Sequence, residues 1–204
     1  MKFEQIDRLL EHALTEINWT GYKPEQQNII TKIKQGGNFV IRAQRKSGFT
    51  ALLQLISILK APGSFEGSPR VLWITSTPER AEKIVNELMT WVRRTEIAIE
   101  IAYDKGNMIL QRNMIFDGAE IIVGNPKRLL DLYNQNGYHI GQLNLLLIDD
   151  CSEICKDPIQ LQRVRRISES ITKCQKVVAT YGNHDRMEQF VEEVCGFHEE
   201  LQYP

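Results

Sequence analysis

A chain of 204 residues is long enough for one domain with a sizeable hydrophobic core and short for two. Its 42% hydrophobic and 25% charged residues are the composition of an ordinary globular protein, not of a disordered or fibrous one. The formal net charge is −1, so nucleic acid could bind only through a local basic patch and not through an overall positive field.

The sequence also argues against a membrane protein and against a disulfide or metal framework. No apolar run reaches the roughly 18 residues that a transmembrane helix needs. Residues 1–17 show an amphipathic pattern with acidic residues, unlike a secretory signal, so we expect a cytoplasmic protein without membrane contact. The four cysteines show no CxxC spacing and the four histidines are scattered.

Apolar runs alternate with helical patterns along the chain. The predicted strands are Asn38–Arg42, Val71–Thr75, Ile97–Tyr103, Glu120–Val123, Leu145–Ile148 and Lys176–Thr180. The predicted helices cover residues 50–60, 78–95, 126–134, 157–170 and 184–195, after an N-terminal helix. Most strands are continuous Val, Ile and Leu runs, which is typical of strands buried on both faces. This alternation predicts right-handed βαβ units around a central, mostly parallel sheet.

Three predicted helices begin with a capping residue followed by proline. These pairs are Thr77-Pro78, Asn125-Pro126 and Asp157-Pro158. A capping side chain satisfies a free helix N–H, and proline at the first helical position loses no hydrogen bond. In such folds the functional cleft lies beyond the carboxyl ends of the strands, so we expect the loop 43–50 after the first strand to face it.

Six segments, taken in order, resemble the motifs of DEAD-box helicases. The segment WTGYKPEQQNII (19–30) resembles the Q motif, and AQRKSGFT (43–50) is similar to the phosphate-loop pattern AxxGxGKT. The segments TSTPERAEKI (75–84) and VGNPKRLLDL (123–132) resemble PTRELA and TPGR. LLLIDDCSEI (145–154) stands where Asp-Glu-Ala-Asp belongs, and VVATYG (177–182) where Ser-Ala-Thr belongs.

The resemblance covers nearly the whole chain and implies one RecA-like α/β domain of the P-loop NTPase type over residues 1–204. It is similar to the first domain of a superfamily 2 helicase core, with residues 1–35 as an N-terminal helix and Q-motif-like segment. In the family, a second RecA-like domain carries the arginine finger, and we expect this domain to be absent from the chain.

The resemblance implies a site for ATP with Mg²⁺. In the family, the glutamine of the Q motif reads the adenine edge, an aromatic residue packs on the base, and the loop binds the phosphates. The corresponding residues here are Trp19, Gln26, Ala43, Arg45, Lys46, Ser47, Gly48, Phe49 and Thr50. Mg²⁺ would be held by Thr50 and Asp149.

Two replacements in the loop argue against effective ATP binding. Phe49 stands where the family has its phosphate-binding lysine, and Lys46 stands at a glycine position. If the turn keeps a positive φ, a residue with a β-carbon there costs about 1 kcal/mol. Alternatively, Lys46 or Arg45 could supply the missing positive charge from another backbone position.

The hydrolysis and coupling residues are replaced as well. In DDCS (149–152), Asp150 is one methylene shorter than the glutamate that positions the attacking water, and misplacement by about 1 Å can cost ~100-fold in rate. Ser152 replaces the last aspartate, and VAT (178–180) lacks the serine that this aspartate bonds. The predicted catalytic residues, in degenerate form, are Asp149 and Asp150. The predicted coupling residues are Ser152, Ala179 and Thr180.

The nucleic-acid-facing motifs keep more of their polar groups. In the family, PTRELA and TPGR bind the backbone of single-stranded RNA. The corresponding residues here are Thr77, Glu79, Asn125, Lys127 and Arg128. Pro78 stands where the family has arginine, and Lys127 replaces a glycine.

Three functional hypotheses follow. The favoured one is a degenerate DEAD-box-type domain, weak or inactive as an ATPase, that binds single-stranded RNA or a protein as a module. The second is the N-terminal half of an active ATP-dependent RNA helicase, whose partner is a second RecA-like domain and in which Lys46 or Arg45 binds phosphate. The third is a protein-interaction scaffold that docks its partner at the old cleft or on an exposed Phe49.

Overall fold

The computed structural model describes residues 22–61, 67–93 and 95–204, together with Arg8, Glu11 and Thr15, which are helical. Its strands are β1 Phe39–Ala43, β2 Val71–Ile74, β3 Ile99–Ala102, β4 Ile121–Gly124, β5 Leu145–Ile148, β6 Gln175–Thr180 and β7 Glu199–Tyr203. Its helices are α1 Pro24–Gln35, α2 Phe49–Lys60, α3 Pro78–Trp91, α4 Met108–Asp117, α5 Pro126–Asn134, α6 Cys151–Lys156, α7 Pro158–Glu169 and α8 Met187–Cys195.

The strands form one seven-stranded sheet in the order β3-β4-β2-β5-β6-β1-β7. Every pair of neighbours is parallel. The predicted α/β fold with a parallel sheet is therefore confirmed, and all six predicted strands are present. Strands β2, β4 and β5 are buried along their whole length, which explains their continuous apolar sequences.

The structure adds one strand and three helices that the sequence analysis did not predict. Strand β7 is polar because it lies at an edge of the sheet and buries only Leu201 and Tyr203. Helix α4 buries only Gln111 and Ile115, so it lacks a clear apolar stripe. Helices α1 and α6 overlap the Q-motif-like and DEAD-like segments, which the sequence analysis described as motifs and not as helices.

Two hydrophobic clusters cover the two faces of the sheet. One contains residues of α1, α2 and α3, with the fully buried Trp73 among them. The other contains residues of α5, α6, α7 and α8, with Phe190 among them. Helices on both faces are what a buried parallel sheet requires.

Two of the three predicted caps are confirmed, and one is wrong. Thr77 Oγ1 accepts a hydrogen bond of 3.2 Å from Arg80 N at the start of α3. Asp157 Oδ1 accepts bonds of 2.8 and 3.3 Å from the first backbone N–H groups of α7. Asn125 forms no capping bond: its Oδ1, the atom that would accept one, has no partner within the described residues, and its Nδ2 donates to Asp104 Oδ1 at 3.2 Å.

The carboxyl ends of the strands meet at one edge of the sheet. The loop 44–48 follows β1, Thr75 follows β2, Asn125 follows β4, Asp149 follows β5 and Tyr181 follows β6. The predicted site residues that the structure describes lie along or next to this edge. Within the described part of the chain, no helix is long and apolar enough to cross a bilayer.

Candidate nucleotide and nucleic-acid site

The loop between β1 and α2 contains two residues with a positive φ. Lys46 has φ +66° and Gly48 has φ +83°, so both lie in the left-handed region. Lys46 thus occupies the conformation that favours glycine, as predicted for this position. Arg45 Nη2 lies 3.4 Å from Glu153 Oε1 and 3.8 Å from Asp150 Oδ2, so this guanidinium faces acidic groups.

Phe49 is an interior residue. Only 1% of it is exposed, and its ring centroid lies 5.7 Å from that of Tyr181 and 5.2 Å from that of Tyr203. Aromatic pairs at such distances are mutually stabilising. The expectation that Phe49 forms an exposed docking patch is therefore wrong, because the first turn of α2 points this ring into the core.

Gln26 is buried, and both ends of its side-chain amide are bonded within the protein. Its Oε1 accepts from Lys23 N at 3.0 Å, which caps α1, and its Nε2 donates to Tyr203 Oη at 3.1 Å. Tyr203 thus accepts one of the two hydrogens of the amide that the resemblance assigns to adenine. Trp19, the predicted stacking partner of the base, lies outside the described residues.

Asp149 is bound by an arginine that the sequence analysis missed. The carboxylate is fully buried, and Arg80 reaches it with two bonds, Nε to Oδ2 at 2.8 Å and Nη2 to Oδ1 at 2.9 Å. Burial alone would lower the pKa of Arg80, but its bonds to Asp149 outweigh this and raise that pKa. The signal was in the sequence, because Arg80 stands at the leucine position of the PTRELA pattern.

Tyr181 connects Arg80 to the phosphate loop. Its Oη accepts a bond of 3.0 Å from Arg80 Nη2 and lies 3.4 Å from Thr50 Oγ1. The guanidinium carbons of Arg80 and Arg45 lie 5.3 and 5.6 Å from the centre of its ring, within cation–π range. Burial raises the pKa of Tyr181, so its phenol stays neutral at physiological pH.

The hydroxyls of the predicted coupling residues Ser152 and Thr180 form hydrogen bonds only with residues two positions away, within the described chain. Asp150 has φ +56°, and burial raises its pKa. Ser152 Oγ donates to Asp150 Oδ1 at 3.3 Å, while Thr180 Oγ1 donates to the carbonyl of Gly182 at 2.6 Å. Ala179 is buried inside β6. Within the described chain, no hydrogen bond joins Ser152 to residues 178–180.

In the TPGR-like segment, Arg128 is buried and holds the loop before α4. It donates to the carbonyls of Asp104 and Gly106 at 3.0 and 2.9 Å and to Gln111 Oε1 at 3.1 Å. Its predicted contact with RNA stays a prediction and would require these bonds to be exchanged. Lys127 remains half-exposed and forms an ion pair with Asp131, at 3.3 Å.

In the PTRELA-like segment, the polar groups are also engaged. Thr77 caps α3, and Glu79 forms an ion pair of 2.6 Å with Lys105 on the surface. Near this segment, the buried Asn125 Oδ1 and Arg128 Nε have no hydrogen-bond partner within the described residues. These residues lie along one edge of the sheet, but their free hydrogen-bond donors are few.

The arrangement does not fit a bound Mg²⁺. Both carboxylate oxygens of Asp149 are occupied by Arg80, and the hydroxyl of Thr50 faces the phenol of Tyr181. A divalent cation at Asp149 would also lie next to a guanidinium, which like-charge repulsion opposes. At the position of the lysine that would neutralise the phosphate charge, this chain has the buried Phe49.

The fold is that of a RecA-like helicase domain. A hypothetical ATP-dependent RNA helicase from Sulfolobus tokodaii superposes with a TM-score of 0.82 at 21% identity, over 97% of this chain and 57% of that one. A Dbp5 variant from S. cerevisiae, bound to a Gle1 variant and IP6, gives a TM-score of 0.81 at 16% identity, over 100% of this chain and 52% of its own.

Sequence comparison gives the family. The model of the DEAD/DEAH box helicases matches residues 23–184. The DEAD-box ATP-dependent RNA helicase CshA of Streptococcus pneumoniae is 28% identical over 76% of this chain, and the ATP-dependent RNA helicase vasa of Drosophila melanogaster is 28% identical over 80%. The chain belongs to the DEAD/DEAH box helicase family. It spans 30% of CshA and 26% of vasa.

Proposed function

We propose that this chain is a DEAD-box-type domain that is weak or inactive as an ATPase and acts as a binding module. The observation that carries the proposal is the burial of Phe49 between Tyr181 and Tyr203, at the position of the phosphate-binding lysine. An aromatic ring in the core supplies no charge to a phosphate. The contacts of Gln26 and Asp149 within the protein support the same conclusion.

The alternative of an active helicase half requires Lys46 or Arg45 to replace the missing lysine. The guanidinium of Arg45 faces Glu153 and Asp150, which neutralise it in this arrangement. Lys46 is exposed and is the better candidate of the two. If it binds phosphate, Lys46→Ala abolishes nucleotide binding while Phe49→Ala leaves it intact.

The test is calorimetric titration of the chain with ATP and ADP in the presence of Mg²⁺. The isolated first domain of the S. pneumoniae CshA relative is the positive control, because a single domain can bind nucleotide weakly. We expect no heat of binding for this chain. The variant Lys46→Gly/Phe49→Lys/Arg80→Leu, which restores the family residues, is expected to bind if circular dichroism shows it folded.

Binding by the unmodified chain as strong as that of the control would contradict the proposal. So would RNA-stimulated ATP hydrolysis, dependent on Asp149, after a second RecA-like domain is supplied. Either result would favour the active helicase half.

The exposed apolar side chains of helix α4 support a second candidate function, that of a protein-interaction scaffold. It exposes Ile109, Leu110 and Phe116 by 72%, 58% and 54%, with Met114 at 43%. The four side chains leave roughly 400 Å² of apolar surface, about half of what each partner buries in a standard interface. The area is suited to one amphipathic helix of a protein partner and too small for a stable dimer through this helix alone.

A further inference from the structure

The carboxylate of Asp149 is a buried charge that must be compensated. Its side chain is fully buried, and an uncompensated carboxylate there would be costly because water cannot solvate it. Arg80 is the side chain that donates to it within the described part of the protein, through both carboxylate oxygens. This fork-to-fork geometry is the strongest arrangement available to an arginine and a carboxylate.

Two replacements in this site change the charge in opposite directions. Relative to the family patterns, Phe49 puts an apolar ring where a lysine belongs, and Arg80 puts a guanidinium where a leucine belongs. The positive charge lost from the start of α2 is thus regained at the start of α3. Tyr181 joins the two changes, since its ring packs edge-to-face against Phe49 and its hydroxyl accepts a hydrogen bond from Arg80.

The guanidinium is held firmly in its position. Thr77 accepts the backbone N–H of Arg80, and the third bond of the guanidinium goes to Tyr181 Oη. The guanidinium carbon lies 5.3 Å from the centre of the Tyr181 ring. Only 24% of the arginine side chain is exposed. A guanidinium held in this way compensates a buried carboxylate better than a mobile lysine or a hydrated ion would, because its donors are already oriented.

We propose that Arg80 is a built-in counter-cation, which replaces Mg²⁺ and the phosphate-binding lysine at Asp149. The folded domain is therefore insensitive to divalent cations, and removal of the guanidinium opens a cation site formed by Asp149 with the hydroxyl of Thr50. This inference extends the proposed function, because it states what holds the site in place of a nucleotide. It does not depend on whether RNA or protein is the partner.

The experiment compares urea unfolding of four chains, each with and without Mg²⁺ or Mn²⁺. Arg80→Leu removes the counter-cation and restores the family residue. Arg80→Leu/Asp149→Asn also removes the charge that needs compensation. Arg45→Leu is the matched control, because Arg45 lies over the same tyrosine ring without bonding Asp149.

We expect Arg80→Leu to lower the folding equilibrium constant by roughly 100-fold or more, as breaking a buried ion pair does. Either cation should recover part of this loss in Arg80→Leu and leave the other three chains unchanged. The double variant should regain most of the stability. Arg45→Leu should cost at most a few-fold, as exposed pairs do.

Equal losses for Arg80→Leu and Arg45→Leu would overturn the inference, as would stabilisation of the unmodified chain by Mg²⁺. If Arg80→Leu does not fold, recovery of folding by the double variant supports the inference and continued failure overturns it. ATP hydrolysis by the unmodified chain contradicts the proposed function, whereas cation-independent stability is measured without nucleotide. The two proposals can therefore fail separately.

Discussion

At the scale of single residues, Lys46 shows how a replaced glycine leaves strain behind. Its φ of +66° is a conformation that residues with a β-carbon avoid. The neighbouring Gly48, at φ +83°, takes the same region without cost. The loop thus has a positive φ at two positions, and only one of them is a glycine.

We expect Lys46→Gly to stabilise the domain by about 0.5–1 kcal/mol, since relief of the left-handed strain exceeds the entropy that glycine adds to the unfolded chain. Urea denaturation measures the difference in free energy of unfolding. Lys46→Ala is the control, because alanine keeps the β-carbon and the strain. Equal stabilisation by both variants would show that the side chain, and not the backbone, is responsible.

At the scale of elements, the helix starts show how far a local pattern can be trusted. Asp157 caps α7 through two backbone N–H groups, as its Asp-Pro sequence predicts. Asn125 precedes proline in the same way, yet its side chain turns to Asp104. Its neighbour Arg128 donates to the backbone carbonyl of that same residue, so α5 is tied to the loop before α4.

Replacing Asp157 by alanine should cost about 1 kcal/mol in the free energy of unfolding, the usual value of a cap. Asp157→Asn keeps the accepting oxygen and should cost much less. The cap bond to Ile159 N holds the pKa of Asp157 below its usual value. The charge-dependent part of the cap is therefore present at neutral pH and is lost as the pH falls through that lowered pKa.

Thermal unfolding at several pH values measures this effect. The difference between the unmodified chain and Asp157→Asn should begin to shrink as the pH falls below about 4, the ordinary value for an aspartate, and should disappear only below the lowered pKa of the folded protein. A difference that stays constant with pH would mean that the carboxylate charge contributes nothing to the cap.

At the scale of the whole molecule, the edge of the sheet separates two kinds of residue. Among the predicted nucleotide residues, Gln26, Phe49 and Thr50 contact Tyr181 or Tyr203, whereas Arg45 and Lys46 are exposed. The predicted nucleic-acid residues lie further along, with Lys127 as an accessible cation. A net charge of −1 leaves local contacts of this kind as the source of any affinity for RNA.

If the module binds single-stranded RNA, its affinity should fall steeply with salt, because bound phosphates release counterions. Lys127→Ala should weaken binding and reduce the slope of log affinity against log salt by about 0.7, the value for one phosphate of a single strand. Fluorescence anisotropy with a labelled oligonucleotide measures both quantities. Lys173→Ala, before β6 at the opposite edge of the sheet, should change neither.

Absence of salt-dependent binding would instead favour the protein-interaction scaffold and the exposed face of α4. A slope that does not differ between the two lysine variants would show that RNA binds elsewhere on the surface.

Much of the architecture could be predicted from the sequence, because it depends on local patterns. Strands such as Leu145–Ile148 are continuous apolar runs, since both faces of the sheet are covered. The order of six short motifs was sufficient to predict the helicase family, which the family match to residues 23–184 confirms. The polar edge strand β7 was missed because its sequence has no such apolar run.

The sequence by itself determined the parallel sheet and the family. It also shows that Phe49 and Lys46 replace the lysine and the glycine of the family pattern. Only the tertiary structure decided which side chains Gln26 and Asp149 contact. Gln26 meets Tyr203 across 177 residues, and Arg80 meets Asp149 across 69. These partners are distant in the chain and become neighbours because parallel strands bring their carboxyl ends to one edge. A local pattern specifies the strand or helix on which a residue lies, but not which side chain of another strand or helix will contact it.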